Sequence, residues 1–192
     1  MLSLTVEELL EELARGTRVP GAGSAAALVT AAAAAVTAMS ARCSRDSWAE
    51  AGAAVAQAES LSARAGRLAR EDAEALAAFI SARATTLEPR QEARDFRLGQ
   101  ALFLAADVPL AIAEIACDVT FLAAHVAQNC TEDVRPDAAS AAVLAHGAVR
   151  AAAHLVEVNL ATAEGDARVT RARNLVRAAG AAADEAVHRA AS

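Results

Sequence analysis

The chain has no lysine and no tyrosine. Its 192 residues include one tryptophan, four phenylalanines, three cysteines, four prolines and nine glycines. Each shortage excludes something. With so little Pro and Gly and 55% hydrophobic side chains, disorder is not expected. Without lysine, all 18 basic residues are arginine, and the Gly-Lys-Ser/Thr ending of a phosphate-binding Walker loop cannot be built. A net charge of −6 offers no basic face of the kind a general nucleic-acid binder needs. The cysteines, Cys43, Cys117 and Cys130, are odd in number, widely spaced and without a C-x-x-C pair, so neither a disulfide framework nor a zinc site is expected. They read as small buried hydrophobes in a reducing compartment. What is abundant is alanine, 58 residues. Alanine is the best helix former and is depleted in strands, so the expected fold is all-α with a core of small side chains.

The segments follow from caps and breaks. Thr5-Val6-Glu7-Glu8 fits a capping box, and Leu9, Leu10 and Leu13 continue at helical spacing, which predicts a first helix over Val6–Arg15. Residues 16 to 23 form a loop with three glycines and Pro20. Ser24 is placed to cap a second helix, apolar on every side, to about Cys43. Further helices are expected from about Trp48 to Ala84, from Pro89 to Gln128 with a kink or split at Pro109, from Asp137 to Leu160 and, after a short break at Ala161 to Asp166, on to about His188. No repeat or linker divides the chain, so one domain over residues 1–192 is expected, an antiparallel bundle of about six helices. The longest approach about 60 Å at 1.5 Å per residue, more than a compact monomer needs, which points to a homodimer.

No charge falls between Arg18 and Arg42. That stretch is long enough to span a bilayer, but its Ala, Gly, Ser and Thr content suits a buried soluble helix better. Met1 to Arg18 carries four glutamates and no secretory pattern, so a cytoplasmic protein is expected.

Several residues could carry chemistry. Pro20-Gly21-Ala22-Gly23-Ser24 runs into a helix whose first N–H groups lack partners, a setting for an anionic or carbonyl-bearing ligand as well as for a plain capped turn. Asp72, in RLAREDAEALAAF, is a carboxylate in a mostly apolar stretch, suited to general acid or base work or to a solvated acidic edge. His146 and His154 lie about 12 Å apart along one helix, too far to share a metal, and no bound metal is expected. Asp137 can cap its helix, and Asn159, between Val158 and Leu160, needs a protein or ligand partner. No G-x-S-x-G elbow occurs.

Taken together, the Thr-Val-Glu-Glu-Leu-Leu opening, PGAGSAAALVTAAAAAVTAM, EDAEALAAF, VPLAIAE and PDAASAAVLAHGAVRAAAHLVEVNL resemble, in order and spacing, the cyclodeaminase domain of formiminotransferase-cyclodeaminase. The same family includes stand-alone methenyltetrahydrofolate cyclohydrolases. The resemblance runs from about Leu4 to Ala190. It implies an all-α dimer acting on tetrahydrofolate one-carbon adducts without a metal. The family's catalytic aspartate falls on Asp72. Its folate-holding glycine loop falls on Pro20, Gly21, Gly23 and Ser24, its Ser-Asp on Pro136-Asp137, and its terminal Asn on Asn159. Because folates carry anionic tails and lysine is absent, Arg42 and Arg45 are the expected charge partners. Ala22 replaces the loop's middle glycine, Pro136 a serine and Leu155 an asparagine, and Ser47 and Trp48 stand where basic or polar residues are common. Those departures leave open a family member turned to another folate-linked one-carbon transfer. The alanine content alone would also suit a non-catalytic helical dimer used as a scaffold.

Overall fold

The computed structural model describes residues 4–17, 19–84, 105–161 and 165–190, with side chains of 82–84 outside the description. Among these residues there are six α-helices and no strand: α1 (Val6–Ala14), α2 (Ala22–Cys43), α3 (Ala51–Ala84), α4 (Asp107–Asn129), α5 (Arg135–Asn159) and α6 (Ala167–Ala190), with a 3-10 turn at Glu132–Val134 before α5. The bundle agrees with the all-α reading.

Local chemistry explains most boundaries. The capping box at α1 forms as the sequence implies. The Thr5 hydroxyl accepts from the Glu8 N–H, and the Glu8 carboxylate accepts from the Thr5 N–H at 2.7 Å. Gly16, at φ +77°, takes the left-handed position just past the end of α1. Two boundaries differ from expectation. The second helix begins at Ala22 with Gly21 as an uncapped N-cap, so Ser24 lies inside the first turn and does not cap its own helix. Asp137 likewise sits in the first turn of α5, whose N-cap, Val134, makes no side-chain cap. The split expected at Pro109 falls just before it: Ala105 is helical, Ala106 is a turn and α4 begins at Asp107, so Pro109 lies where first-turn N–H groups have no intrahelical partner. The expected helix start at Pro89 lies outside the described residues.

Polar contacts fix the directions. Ser62 donates to the Ala31 carbonyl at 3.1 Å and Arg42 pairs with Glu59 at 2.5 Å, so α2 and α3 are antiparallel. The buried Ser44 hydroxyl accepts from the Thr131 N–H at 3.0 Å, joining the end of α2 to the start of α5. Trp48 packs edge-on against His125, with centroids 5.5 Å apart, so α3 starts beside the end of α4. Arg168–Asp107 and Gln128–Glu185 contacts make α4 and α6 parallel. The starts of α2, α4 and α6 therefore share one end of the bundle with the C-terminus of α5.

The core is largely methyl groups. Ala27, Ala33, Ala34 and Ala41 of α2 are fully buried, against Ala58, Ala65 and Ala69 of α3 and Ala138, Ala141, Ala142 and Ala145 of α5. The largest fully buried aliphatic side chains are Ile112, Val119, Val126, Val149 and Val156, with Trp48, Leu61, Leu68, Ile115 and Leu122 nearly so. The buried hydroxyls of Thr30, Thr37 and Thr120 donate to carbonyls four residues back, which satisfies them within their own helices. Three helical stretches (Ala22–Cys43, Asp107–Asn129 and Glu132–Asn159) are long and apolar enough to cross a membrane by length and composition. Half or more of each such window is buried in the bundle. Of the cysteines, Cys117 and Cys130 are buried as expected; Cys43, the last residue of α2 and next to exposed Arg42, is exposed.

Candidate active site

The glycine-rich turn and Asp72, 48 residues from Ser24, meet. α3 runs back along α2 until Asp72 lies beside the first turn of α2. There the Ser24 hydroxyl donates to Asp72 Oδ2 at 2.8 Å, with Ser24 fully buried and Asp72 only 8% exposed. Gly23 supplies the clearance. A Cβ at position 23 would overlap Oδ1 and lie 2.5 Å from Cγ and 2.8 Å from Oδ2. The space that the glycine leaves open is filled by the carboxyl group of Asp72.

Burial raises the pKa of Asp72 above the ordinary carboxylate range, and the Ser24 hydroxyl and backbone N–H oppose that without cancelling it. The apolar setting has a visible source. No ionisable residue occurs on α2 before Arg42, and α3 continues past Asp72 with half-buried Leu76, Phe79 and Ile80. A carboxyl group that is buried, hydrogen-bonded on one oxygen and held in its raised state is suited to taking up and releasing a proton.

The other residues singled out from the sequence are divided between the two ends of the bundle. Pro20, preceded by a cis Val19–Pro20 bond, and Gly21 lead directly into the Asp72 contact. Ala22 is exposed beside it, so its methyl group points away from the core. Asn159 closes α5 at the same end, where its amide donates to the Ala105 carbonyl at 3.1 Å; its partner is protein. Arg42, Arg45, Pro136 and Asp137 lie at the opposite end, about 33 Å away along the 22 residues of α2. Arg42 is engaged by Glu59, and Arg45 and Asp137 are exposed. Trp48, at that far end, is buried in the core. Leu155 is half-buried on α5.

One cluster at the Asp72 end has no counterpart in the sequence reading. Arg168 holds Asp166 through Nε at 3.1 Å and Nη2 at 2.9 Å, and Asp107 through Nη1 at 2.6 Å. Arg168's hydrogen bonds hold Asp166 below the usual carboxylate range. The Asp-x-Arg spacing before α6 was the available signal, but the third member comes from α4, 61 residues away. Among the described residues, no group of three His, Cys, Asp or Glu side chains gathers at metal-binding distance.

Comparison with known proteins follows the same lines. The formiminotransferase-cyclodeaminase family model matches residues 5–178. Among solved structures, formiminotetrahydrofolate cyclodeaminase from Thermotoga maritima superposes with a TM-score of 0.79 at 21% identity, covering 97% of this chain and 93% of that one. At that identity the likeness concerns the fold. No curated protein sequence gives a significant match.

Proposed function

The chain belongs to the formiminotransferase-cyclodeaminase family, and on that premise we propose that it is an enzyme acting on one-carbon adducts of tetrahydrofolate, either a formiminotetrahydrofolate cyclodeaminase or a methenyltetrahydrofolate cyclohydrolase. The observation that carries the reading is the buried Asp72 held at the N-terminus of α2 by Ser24, in the space left by Gly23. A raised carboxylate pKa is what a proton shuttle needs at neutral pH.

In the cyclodeaminase reaction, N10 attacks the carbon of the protonated formimino group, N5–CH=NH2+. Asp72 accepts the N10 proton as that bond forms. It returns the proton to the amine as the carbon–nitrogen bond breaks and ammonia leaves, so no net proton is gained or lost by the enzyme. In the cyclohydrolase reaction, Asp72 takes a proton from water attacking the methenyl carbon and passes it to N5 as the carbon–N5 bond breaks, while the second water proton is released to solvent as the formyl carbonyl forms. Pro20 and Gly21 supply backbone to a folate lying over the start of α2, with the Leu76 and Phe79 side of α3 as an apolar wall and Asn159 at the margin.

Arg45 and Asp137 belong to this reading only through a second copy of the chain. A homodimer in which the outward face of α2 packs against its equivalent would bring one protomer's far end toward the other's Asp72. The face formed by Ala22, Val29, Ala32, Ala35 and Met39 is exposed, apolar and free of charge, which supports such a contact. A related one-carbon transfer is the second reading, favoured by Ala22, exposed at the start of α2 where the resemblance calls for glycine.

The test is absorbance of methenyltetrahydrofolate with the wild type and Asp72→Asn. The expected loss is about 10²–10⁴-fold in rate. Silence of the wild type toward both formimino- and methenyltetrahydrofolate would exclude both standard reactions.

A further inference from the structure

The sequence places Ser24 among the residues that hold folate. The geometry points elsewhere, and we infer that Ser24 is a positioning residue, whose hydroxyl anchors one carboxyl oxygen of Asp72 and so orients the other toward the ligand. The inference deepens the proposed acid/base role of Asp72 and rests on it for its functional meaning.

Three observations carry it. Ser24 is fully buried, so its hydroxyl has no surface to offer a ligand. Its hydrogen bond to Asp72 is 2.8 Å long, a normal length for a hydroxyl on a carboxyl oxygen. Gly23, immediately before it, has no Cβ because the same carboxyl group fills that place. Residues 23 and 24 thus form a two-part seat, one part clearance and the other a donor. With the hydroxyl donating to one carboxyl oxygen, the other is left to carry the proton of the neutral form. A half-turn about Cβ–Cγ merely exchanges the two equivalent oxygens, so what the Ser24 bond holds is the orientation of the carboxyl plane.

Few charges compete with this seat. α2 carries no ionisable side chain from Ala22 to Ala41. On α3 the neighbours are Arg70, Glu71 and Glu74; α4, packed on α3, brings Asp107, Glu114 and Asp118; α5, packed on α2, ends with Glu157. The influences resolved on Asp72 are burial and the two Ser24 donors, with no ionic partner among them.

The experiment is a carboxyl-carbon NMR titration of the full chain as wild type, Ser24→Ala and Ser24→Cys, with the Asp72 resonance identified by its loss in Asp72→Asn. Far-UV circular dichroism checks that each variant is folded. In Ser24→Ala the midpoint of Asp72 is expected to rise by about 1 pH unit, because a donor to the charged form is removed. Ser24→Cys, which keeps a weak donor, should rise less. The acidic limb of kcat/KM should move the same way, with KM nearly unchanged. An unmoved midpoint in folded Ser24→Ala and Ser24→Cys overturns the inference, as does a tenfold rise in KM without a midpoint shift, which would make Ser24 a substrate contact. Because the titration needs no turnover, an inactive wild type with a shifted midpoint supports the Ser24 assignment while counting against the proposed reaction.

Discussion

A β-carbon on Gly23 would lie 2.5 Å from Cγ of Asp72 and overlap its Oδ1. Only one of these two positions can place side-chain atoms in that space. The glycine-rich turn and the acidic residue of α3 are thereby one structural unit, and substitutions at either should be felt at the other.

Gly23→Ala should therefore displace Asp72, at a cost of about 1–3 kcal/mol for overpacking. In an Asp72→Ala background the added methyl group has room, so the same substitution should cost much less. Denaturant unfolding of the four proteins measures the coupling. Additive effects would show that residues 23 and 72 do not compete for space.

Asp72→Asn should stabilise the chain at neutral pH. The pKa of Asp72 is raised above its ordinary value of 3.8 in the folded state, so the folded chain binds that proton more tightly than the unfolded one. The stability this group contributes is fully present below that ordinary value and is lost as pH rises through the raised one. A neutral amide does not undergo that loss. Melting temperatures of the two proteins should differ most near neutrality and converge on acidification. A variant less stable than the wild type at neutral pH would contradict the sign.

The exposed apolar face of α2 should be covered by a second copy. Sedimentation at micromolar concentration is expected to give twice the 19.5 kDa chain mass. Val29→Arg, at a residue 40% exposed in the middle of that face, should give a monomer. Arg45→Ala should weaken binding of long-tailed folates more than short-tailed ones in the dimer, and should make no such distinction in Val29→Arg.

One thiol of three should react with a maleimide in the folded protein. Cys43 is exposed, whereas Cys117 is buried with its thiol pushed up to about 11 and Cys130 is buried with its pKa also raised. Mass spectrometry after native labelling should find Cys43 modified first, and the other two only on unfolding.

Helical class and order were legible because alanine and the capping box act locally. The α1 boundaries follow from Thr5 and Glu8, and the α6 start from the break before Ala167. The role of Ser24 was not legible. A serine after a glycine turn looks like a cap, and only the antiparallel return of α3 shows that it bonds Asp72. The same holds for Arg45 and Asp137, close to the site in the reading from resemblance but one helix length from Asp72 within the chain. Asn159 was recognisable as a residue needing a partner; that the partner is the Ala105 carbonyl depends on where α4 begins. Long-range pairings of this kind depend on chain direction and register, which local residue patterns do not contain.

The methyl-rich core has a further consequence. A buried Leu or Met must give up rotamers to fold, whereas Ala has none to give up, so packing Ala27, Ala33, Ala34 and Ala41 costs almost no side-chain entropy. Such methyl groups also have no alternative rotamers to adopt. Where α2 meets α3 and α5 alanine on alanine, the shape of the contact is fixed by the backbone alone, and a larger residue introduced there must move helices or displace one of the few larger neighbours such as Leu68.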